Sequence, residues 1–435
     1  MFQKIKGFFG IEERNSTIPK EIIGGIITFF SMIYICSVHP GIMAAAGQDF
    51  GRVFTGTAIA AGFVTILMGL LAKIPIALAP GLGLNAFVAF TVCGALGFSW
   101  QMALTAVLVE GILFIILSLA GIRQKIISAI PDVIKKGVAL GIGLFIAVIG
   151  LANAGILTTG GGTVIGINSV TSGAPLVAII GLSLMILLYT LKVPGSIFIA
   201  IIASTIIGIP LGVTALSENF SIIGLPSAPY FFQFAFDKIF TLDFIIIIIS
   251  LLFIDLFDTV STLAGVAIQG NLLDKNGEII NCKKALLTDA IGTTFGSLFG
   301  ITTVTSYIES STGVASGART GLASVVTGIL FLLALIFAPL FALIPSAATA
   351  PALIFVGFLM LGAISQIDLK DTEIGIPIFI TMLMIPMSYS ISQGLAFGFI
   401  AYTLVKISKK KFNEISIATW ILTILFLIKI IFISV

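Results

Sequence analysis

The sequence predicts an all-α polytopic membrane protein made of two inverted halves of seven spans each, with short extended strands inside the third and tenth spans. Three observations carry this. Hydrophobic residues make up 58% of the 435 and charged residues only 9%, against roughly one quarter charged in soluble domains. Apolar runs of the length a helix needs to cross the hydrocarbon core recur along the whole chain. Lys and Arg collect in alternate connections, as they do in cytoplasmic loops.

Residues 1–19 are polar and mixed in charge and lack the features of a cleavable signal peptide, so the first span is expected to act as the insertion signal. Breaks at charges, Gly or Pro then place spans at 20–38, 53–71, 78–98, 101–120, 133–152, 174–191 and 195–212. A polar, aromatic connection from Ser217 to Asp243 separates these from spans at 244–268, 284–299, 302–317, 320–343, 350–366, 372–389 and 391–407. With the N-terminus inside, Lys73, Arg123, Lys125, Lys135, Lys136, Lys192, Lys275, Lys283, Lys284, Arg319, Lys370 and the cluster from Lys406 to Lys411 all fall on the cytoplasmic side. Arg52, Lys238 and Lys429 fall outside or stay unassigned. A miscount of one span in the middle would scatter this pattern. The run 415–433 is left over and reads either as an additional span or as a helix on the membrane surface.

Composition also excludes function classes. A net charge of +3 with scattered basic residues gives no footprint for nucleic acid. Cys36, Cys93 and Cys282 are odd in number and widely spaced, and read as free packing thiols. There is no metal-ligand cluster, nucleophile elbow or zinc-protease motif, and Gly160 to Gly162 read as an outside loop because no P-loop Lys follows. The expectation is a protein that is not an enzyme and uses no cofactor.

An odd number of spans per half makes the second half enter the membrane from the opposite side. Inverted repeats of this kind build a substrate site at midplane from interrupted helices in matching positions. Such a pair is present. Pro80, Gly81 and Gly83 break the third span, and the β-branched, hydroxyl-rich run from Thr302 to Ser306 disfavours helix in the tenth. Extended backbone at that depth needs protein or a wet cavity around it, so the two breaks should face each other.

The chemistry sits beside them. Asp255 and Asp258 share a face of the eighth span, and Glu309 follows the extended part of the tenth, near the start of its half-helix. An acid inside the bilayer costs a few kcal/mol and is usually kept for function. Carboxylates accept ring N–H bonds and an amide such as Asn85 can both donate and accept, which suits a neutral heteroaromatic ring. Tyr307, Phe87 and Tyr34 offer stacking surface. Acids withdrawn from water beside one another can also exchange a proton, coupling substrate to a proton gradient.

Plainer readings stand alongside. Asp255 could bond a neighbouring hydroxyl, Asp258 could only brace its partner, and Asn85 could cap the following half-helix. Glu110, with no broken backbone around it, reads as a structural bond to a neighbouring helix. His39 reads as an interfacial residue at the outer end of the first span. Asp289 and Arg319 read as residues near cytoplasmic ends, explained by snorkelling and loop capping. Gly137, Gly141, Gly143, Gly313 and Gly317 read as close-packing glycines.

The segments Glu21–Ile35, Ala79–Ala86, Phe253–Thr259 and Glu309–Gly321 together resemble the azaguanine-type purine permeases, a branch of the nucleobase-cation symporter superfamily that also holds uracil and xanthine permeases. The likeness runs in order from about residue 15 to 410. It implies a core domain of 20–120 with 244–343 and a gate domain of 133–212 with 350–407. It also implies proton-coupled uptake of adenine, guanine or hypoxanthine through the cell membrane, and a homodimer as the assembly common among relatives. Asn85, Asp255, Asp258 and Glu309 match the family's substrate and coupling positions, and Ser310 beside Glu309 joins the expected binding set. Uracil and xanthine permeases are similar in having Asn-x-Gly after the tenth-span acid or amide, whereas here Ser310, Ser311 and Thr312 precede Gly313. That puts uracil or xanthine second as substrate and a passive nucleobase facilitator as the alternative class. Sulfate-type permeases share the architecture, but three acids are a poor lining for an anion site.

Overall fold

A computed structural model of the chain describes residues 2–121, 131–160, 163–216, 221–274 and 279–432. Arg123, Lys125, Gly161, Gly162, Lys275, residues 217–220 of the connection between halves and residue 433 at the end of the C-terminal run lie outside them. The fold is the inverted seven-plus-seven arrangement. Spans 1 to 7 are Ile18–Met32 continued by Ile35–Ala44, Phe50–Leu71, the broken third span, Trp100–Leu119, Asp132–Asn153, Gly173–Thr190 and Ser196–Gly208. Spans 8 to 14 are Leu242–Gly270, Cys282–Leu298, the broken tenth span, Gly321–Leu333, Ser346–Met360, Thr372–Ser388 and Ile391–Ser408.

Local chemistry sets many of these ends. Asp49 accepts the Arg52 N–H at 2.9 Å to start span 2, and Thr241, Thr320, Asp371 and Ser390 cap spans 8, 11, 13 and 14 in the same way. Span 8 stops where Asn271 turns left-handed with φ 51°, a conformation that Asn tolerates better than most residues. Two elements go beyond the sequence reading. An N-terminal helix covers Phe2–Phe9, and a hairpin of Leu157–Gly160 and Thr163–Ile167 follows span 5. The C-terminal run forms a helix, Ile417–Phe432, whose Thr423 hydroxyl lies 2.9 Å from that of Thr403 on span 14.

Packing separates the chain into two compact units, Met1–Leu119 with Gly150–Ala352, and Ala120–Ile149 with Leu353–Val435. In the first, spans 2 and 11 cross with their backbones nearly touching. A Cβ at Gly321 would lie 2.0 Å from Gly69 O, and one at Gly328 would lie 2.5 Å from Gly62 O. In lipid, where helix association has no hydrophobic drive, such close backbone approach supplies the dispersion contact that holds helices together. The tenth span packs on the first likewise, since a Cβ at Gly313 would meet Gly24 O at 2.4 Å. Val64, Met68, Ile76, Leu263, Leu286 and Val304 form a buried apolar cluster around the broken spans. In the second unit Gly143 abuts Gly357 and Gly137 abuts Thr381, and Glu373 at the start of span 13 binds Lys406 and Lys411 at 2.7 Å each.

Gly321→Ala should lower stability by about 1–3 kcal/mol, the usual cost of overpacking. Thermal unfolding in detergent checks this, with Gly7→Ala as control because nothing lies within 4 Å of a Cβ there.

Candidate functional site

The third span opens as a strand, β1 (Leu78–Pro80), passes Gly81, and continues as helix from Leu82 to Ala86 and then as a π-helix from Phe87 to Ala95. The hairpin strands after span 5 are β2 and β3; the strand of the tenth span, Val304–Ser306, is β4, and a half-helix from Ser310 to Ala315 follows it. The strands pair antiparallel, Leu78 with Ser306, Ala79 with Thr305 and Pro80 with Val304. Proline has no N–H to offer a helix or a ladder, and Gly81 is required beside it, because a Cβ there would lie 2.6 Å from the Thr305 methyl. Pairing continues past the strands, with Gly81 N–H donating to Thr303 O and Tyr307 N–H to Ala77 O, both at 3.0 Å.

Hydroxyl groups satisfy what the ladder leaves over. Thr65 accepts the Leu78 N–H at 2.9 Å and donates to Leu78 O at 3.0 Å. Thr293 donates to Val304 O and Ser310 accepts the Ala77 N–H, each at 3.0 Å. Tyr307 donates its phenol to Pro80 O, and Thr302 donates to the Asn85 amide oxygen. Ser310, Tyr307 and Asn85 are thus brought to the crossing as its fasteners, and Asn85 is fully buried. Phe87 is buried as well, at the start of the π-helix, a distortion often found at functional sites.

The acids converge on this crossing. Glu309 stands at the N-terminus of the tenth-span half-helix and accepts a 2.5 Å hydrogen bond from Tyr34, so Tyr34 orients an acid where stacking was expected. Asp258 Oδ2 lies 3.5 Å from the point a Cβ on Gly81 would occupy, at the N-terminus of the third-span half-helix. Both acids therefore meet the positive end of a helix dipole. Asp258 is part-exposed and Glu309 is 7% exposed, whereas Asp255 is fully buried behind them. One helical turn on from Asp255, the Thr259 hydroxyl lies 3.2 Å from Asp255 Oδ1, 2.9 Å from Asp289 Oδ1 and 2.8 Å from the Thr305 hydroxyl. Span 8 is thereby tied to span 9 and to β4.

Three sequence readings change. His39 is not interfacial. It is fully buried, with Nδ1 2.8 Å from the Thr57 hydroxyl and Nε2 3.4 Å from that of Thr302, because the first span continues as a second helix to Ala44. Asp289 is not near a loop but fully buried within span 9, where Thr259 faces it. Glu110 does bond structurally, yet beside broken backbone, accepting from Thr303 at 2.7 Å. Arg319 behaves as read, donating to Val314 O and Ala318 O at the end of the half-helix. The Thr residues that clothe the strands escaped notice, since an isolated Thr in an apolar run carries no signal of its own. Thr259, one turn from Asp255, could have been found by helical spacing.

The model of a permease family, that of xanthine and uracil permeases, matches residues 19–397. A guanine/hypoxanthine permease of Bacillus subtilis is 42% identical over 99% of this chain and 100% of its own length. An adenine permease of Escherichia coli is 37% identical over 98% of this chain and 96% of its own. Among solved structures, the transmembrane domain of a cyanobacterium bicarbonate transporter, BicA, superimposes with a TM-score of 0.65 at 19% identity, covering 88% of this chain and 97% of that one. At that identity the likeness concerns fold alone.

Thr302→Val should leave the buried Asn85 amide oxygen without its donor and cost about 1–3 kcal/mol, while Thr302→Ser should restore most of it. Thermal unfolding of both variants in detergent checks the pair.

Proposed function

The chain belongs to the xanthine/uracil permease family, and on that premise we propose that it carries purine nucleobases, namely adenine, guanine and hypoxanthine, across the cell membrane together with protons. The observation that carries this reading is the pair of acids, Asp258 and Glu309, set at the N-termini of two half-helices that cross inside one compact unit. The names of the guanine/hypoxanthine and adenine permeases to which the chain is similar support the choice of ring.

A purine presents ring N–H donors and ring nitrogen acceptors along its edges. Carboxylates at Asp258 and Glu309 accept the former, while donors at the helix N-termini meet the latter. Tyr34 fixes the rotamer of Glu309, so the acid waits in its binding geometry, which lowers the ordering cost on binding. Asp255 sits one step behind, connected through Thr259 to Asp289, and takes part in holding the proton. The cycle begins with uptake of a proton from outside at Asp255, Glu309 remaining the carboxylate that meets the ring. Purine binding, reorientation of the core domain against the gate, and release of both at cytoplasmic pH follow. The N-terminus is assigned to the cytoplasm by the distribution of Lys and Arg.

Glu309→Gln should cut initial uptake of labelled hypoxanthine about tenfold or more, matching the loss of one charge-assisted hydrogen bond. Tyr34→Phe should lower it less, through a raised KM. Uptake at the wild-type rate in Glu309→Gln and Asp255→Asn would refute the assignment of roles. A protonophore should abolish accumulation in proteoliposomes, and accumulation that persists would refute proton coupling. Competition by adenine, guanine, uracil and xanthine reads the substrate, uracil being the outcome that overturns the purine assignment.

A further inference from the structure

Residues 221–240 of the connection between the halves are irregular in conformation, yet their backbone is fastened along one end of the first unit. Gly224 N–H donates to Ile336 O beyond span 11, and Phe232 N–H donates to Leu298 O at the end of span 9, each at 3.0 Å. Ala235 exchanges two bonds with the Thr105 hydroxyl near the start of span 4, accepting at 2.6 Å and donating at 3.2 Å. Tyr230 is the central pin. Its hydroxyl accepts the Asp49 N–H at 2.9 Å, the Arg52 guanidinium lies 3.9 Å above its ring, and the Trp100 ring centre is 4.6 Å away. Gly300, left-handed at φ +80°, makes room for it, since a Cβ there would lie 2.3 Å from Tyr230 Cβ.

The other side of this segment is apolar and uncovered. Leu225 is 98% and Phe240 92% exposed, and Phe231, Phe232 and Phe236 are each more than half exposed. An apolar set of that size on a clamped segment marks an interaction surface. Its level is set by what holds it, because the fastening points lie at or within two turns of span ends and span 8 begins at Leu242, two residues after Phe240. That is where crossing helices leave the hydrocarbon; Trp and Tyr, here Trp100 and Tyr230, concentrate at that depth, and Phe and Leu supply the apolar face of segments that lie there.

We propose that residues 225–240 form an interfacial strap, whose phenylalanine face lies in the headgroup–acyl boundary of the bilayer leaflet at this end of the protein. Continuity with the membrane-crossing span 8 selects lipid over a partner protein as the occupant. The strap stakes the depth of the unit it is tied to. Through Gly300 and Thr105 it does so at the entry to the tenth span and the start of the fourth, both of which bear on the crossing.

Depth-dependent quenching tests this. Phe240→Trp and Phe236→Trp are made separately in a chain carrying Trp100→Phe and Trp420→Phe and reconstituted in phosphatidylcholine. Bromines placed near the carbonyl end of the acyl chains should quench the new indole about twofold or more, and bromines near the acyl terminus less, because interfacial segments sit about 5–10 Å into that boundary. Aqueous iodide should have little effect. Strong iodide quenching without bromolipid quenching would place the strap in water and overturn the proposal. Absence of both would mean that protein, such as a second copy of the chain, covers it, and strongest quenching by deep bromines would contradict the depth. If the tryptophan background fails to fold, a nitroxide on Phe240→Cys, with Cys36, Cys93 and Cys282 replaced by Ala, reads the same depth. Collisions favouring oxygen support the strap, and collisions favouring a nickel chelate overturn it.

Discussion

Extended backbone cannot exist within a bilayer unless each of its peptide groups finds a partner inside the protein, and everything distinctive about this chain follows from how that demand is met. Two spans from oppositely oriented halves are broken by Pro80 and Gly81 in one and by a run of Thr and Ser in the other. The two breaks satisfy each other through the β1–β4 ladder. What the ladder omits is taken up by Thr65, which meets both the N–H and the carbonyl of Leu78, and by Thr293 and Ser310, which reach one backbone group each. Neither break is viable alone, so the pairing ties the two halves into one unit. It also leaves two helix N-termini inside the protein, where no continuous helix would have one.

Those termini explain why acids are affordable there. Glu309 and Asp258 stand near the positive ends of the half-helices, and hydrogen bonds from neighbouring segments hold the acids behind and around them: Tyr34 on Glu309, Thr259 between Asp255 and Asp289, Thr303 on Glu110. The same architecture serves a bicarbonate transporter at 19% identity, so fold does not choose the substrate. Side chains do: here Asp258 and Glu309 stand at the helix ends of the crossing, and Thr259 bonds Asp255 and Asp289 beside it, a set of acids that disfavours an anion.

Most of the architecture was legible in the sequence because membrane insertion is governed by local quantities. Span length, helix-breaking residues and the sidedness of Lys and Arg are each read within a short window, and apart from the first span, which runs on to Ala44, the spans lie close to where those windows put them. The acids were legible for a related reason, since Asp255, Asp258 and Glu309 are conspicuous against apolar neighbours. Legibility failed where a residue's environment came from distant parts of the chain. His39 beside Pro40 looked like the end of a span, and only the continuation of the helix to Ala44 and the approach of Thr57 and Thr302 bury it. Asp289 looked close to a loop, and Thr259, 30 residues earlier, reveals its place inside.

Hydrophobicity, breaks and charge asymmetry therefore determined by themselves that the chain crosses the membrane in two inverted halves, and that carboxylates and broken helices occur together. The tertiary structure alone decided which of those groups act as fasteners and which stand at the helix ends of the crossing. Asn85, Ser310 and Tyr307 are engaged in closing the crossing, Asp255 is withdrawn behind it, and Asp258 and Glu309 remain at its helix ends. The physical reason is that a hydrogen bond depends on a few tenths of an ångström and on the direction of its donor. Residues such as Thr302 and Asn85, more than two hundred positions apart, acquire that geometry only when the two halves have folded against each other.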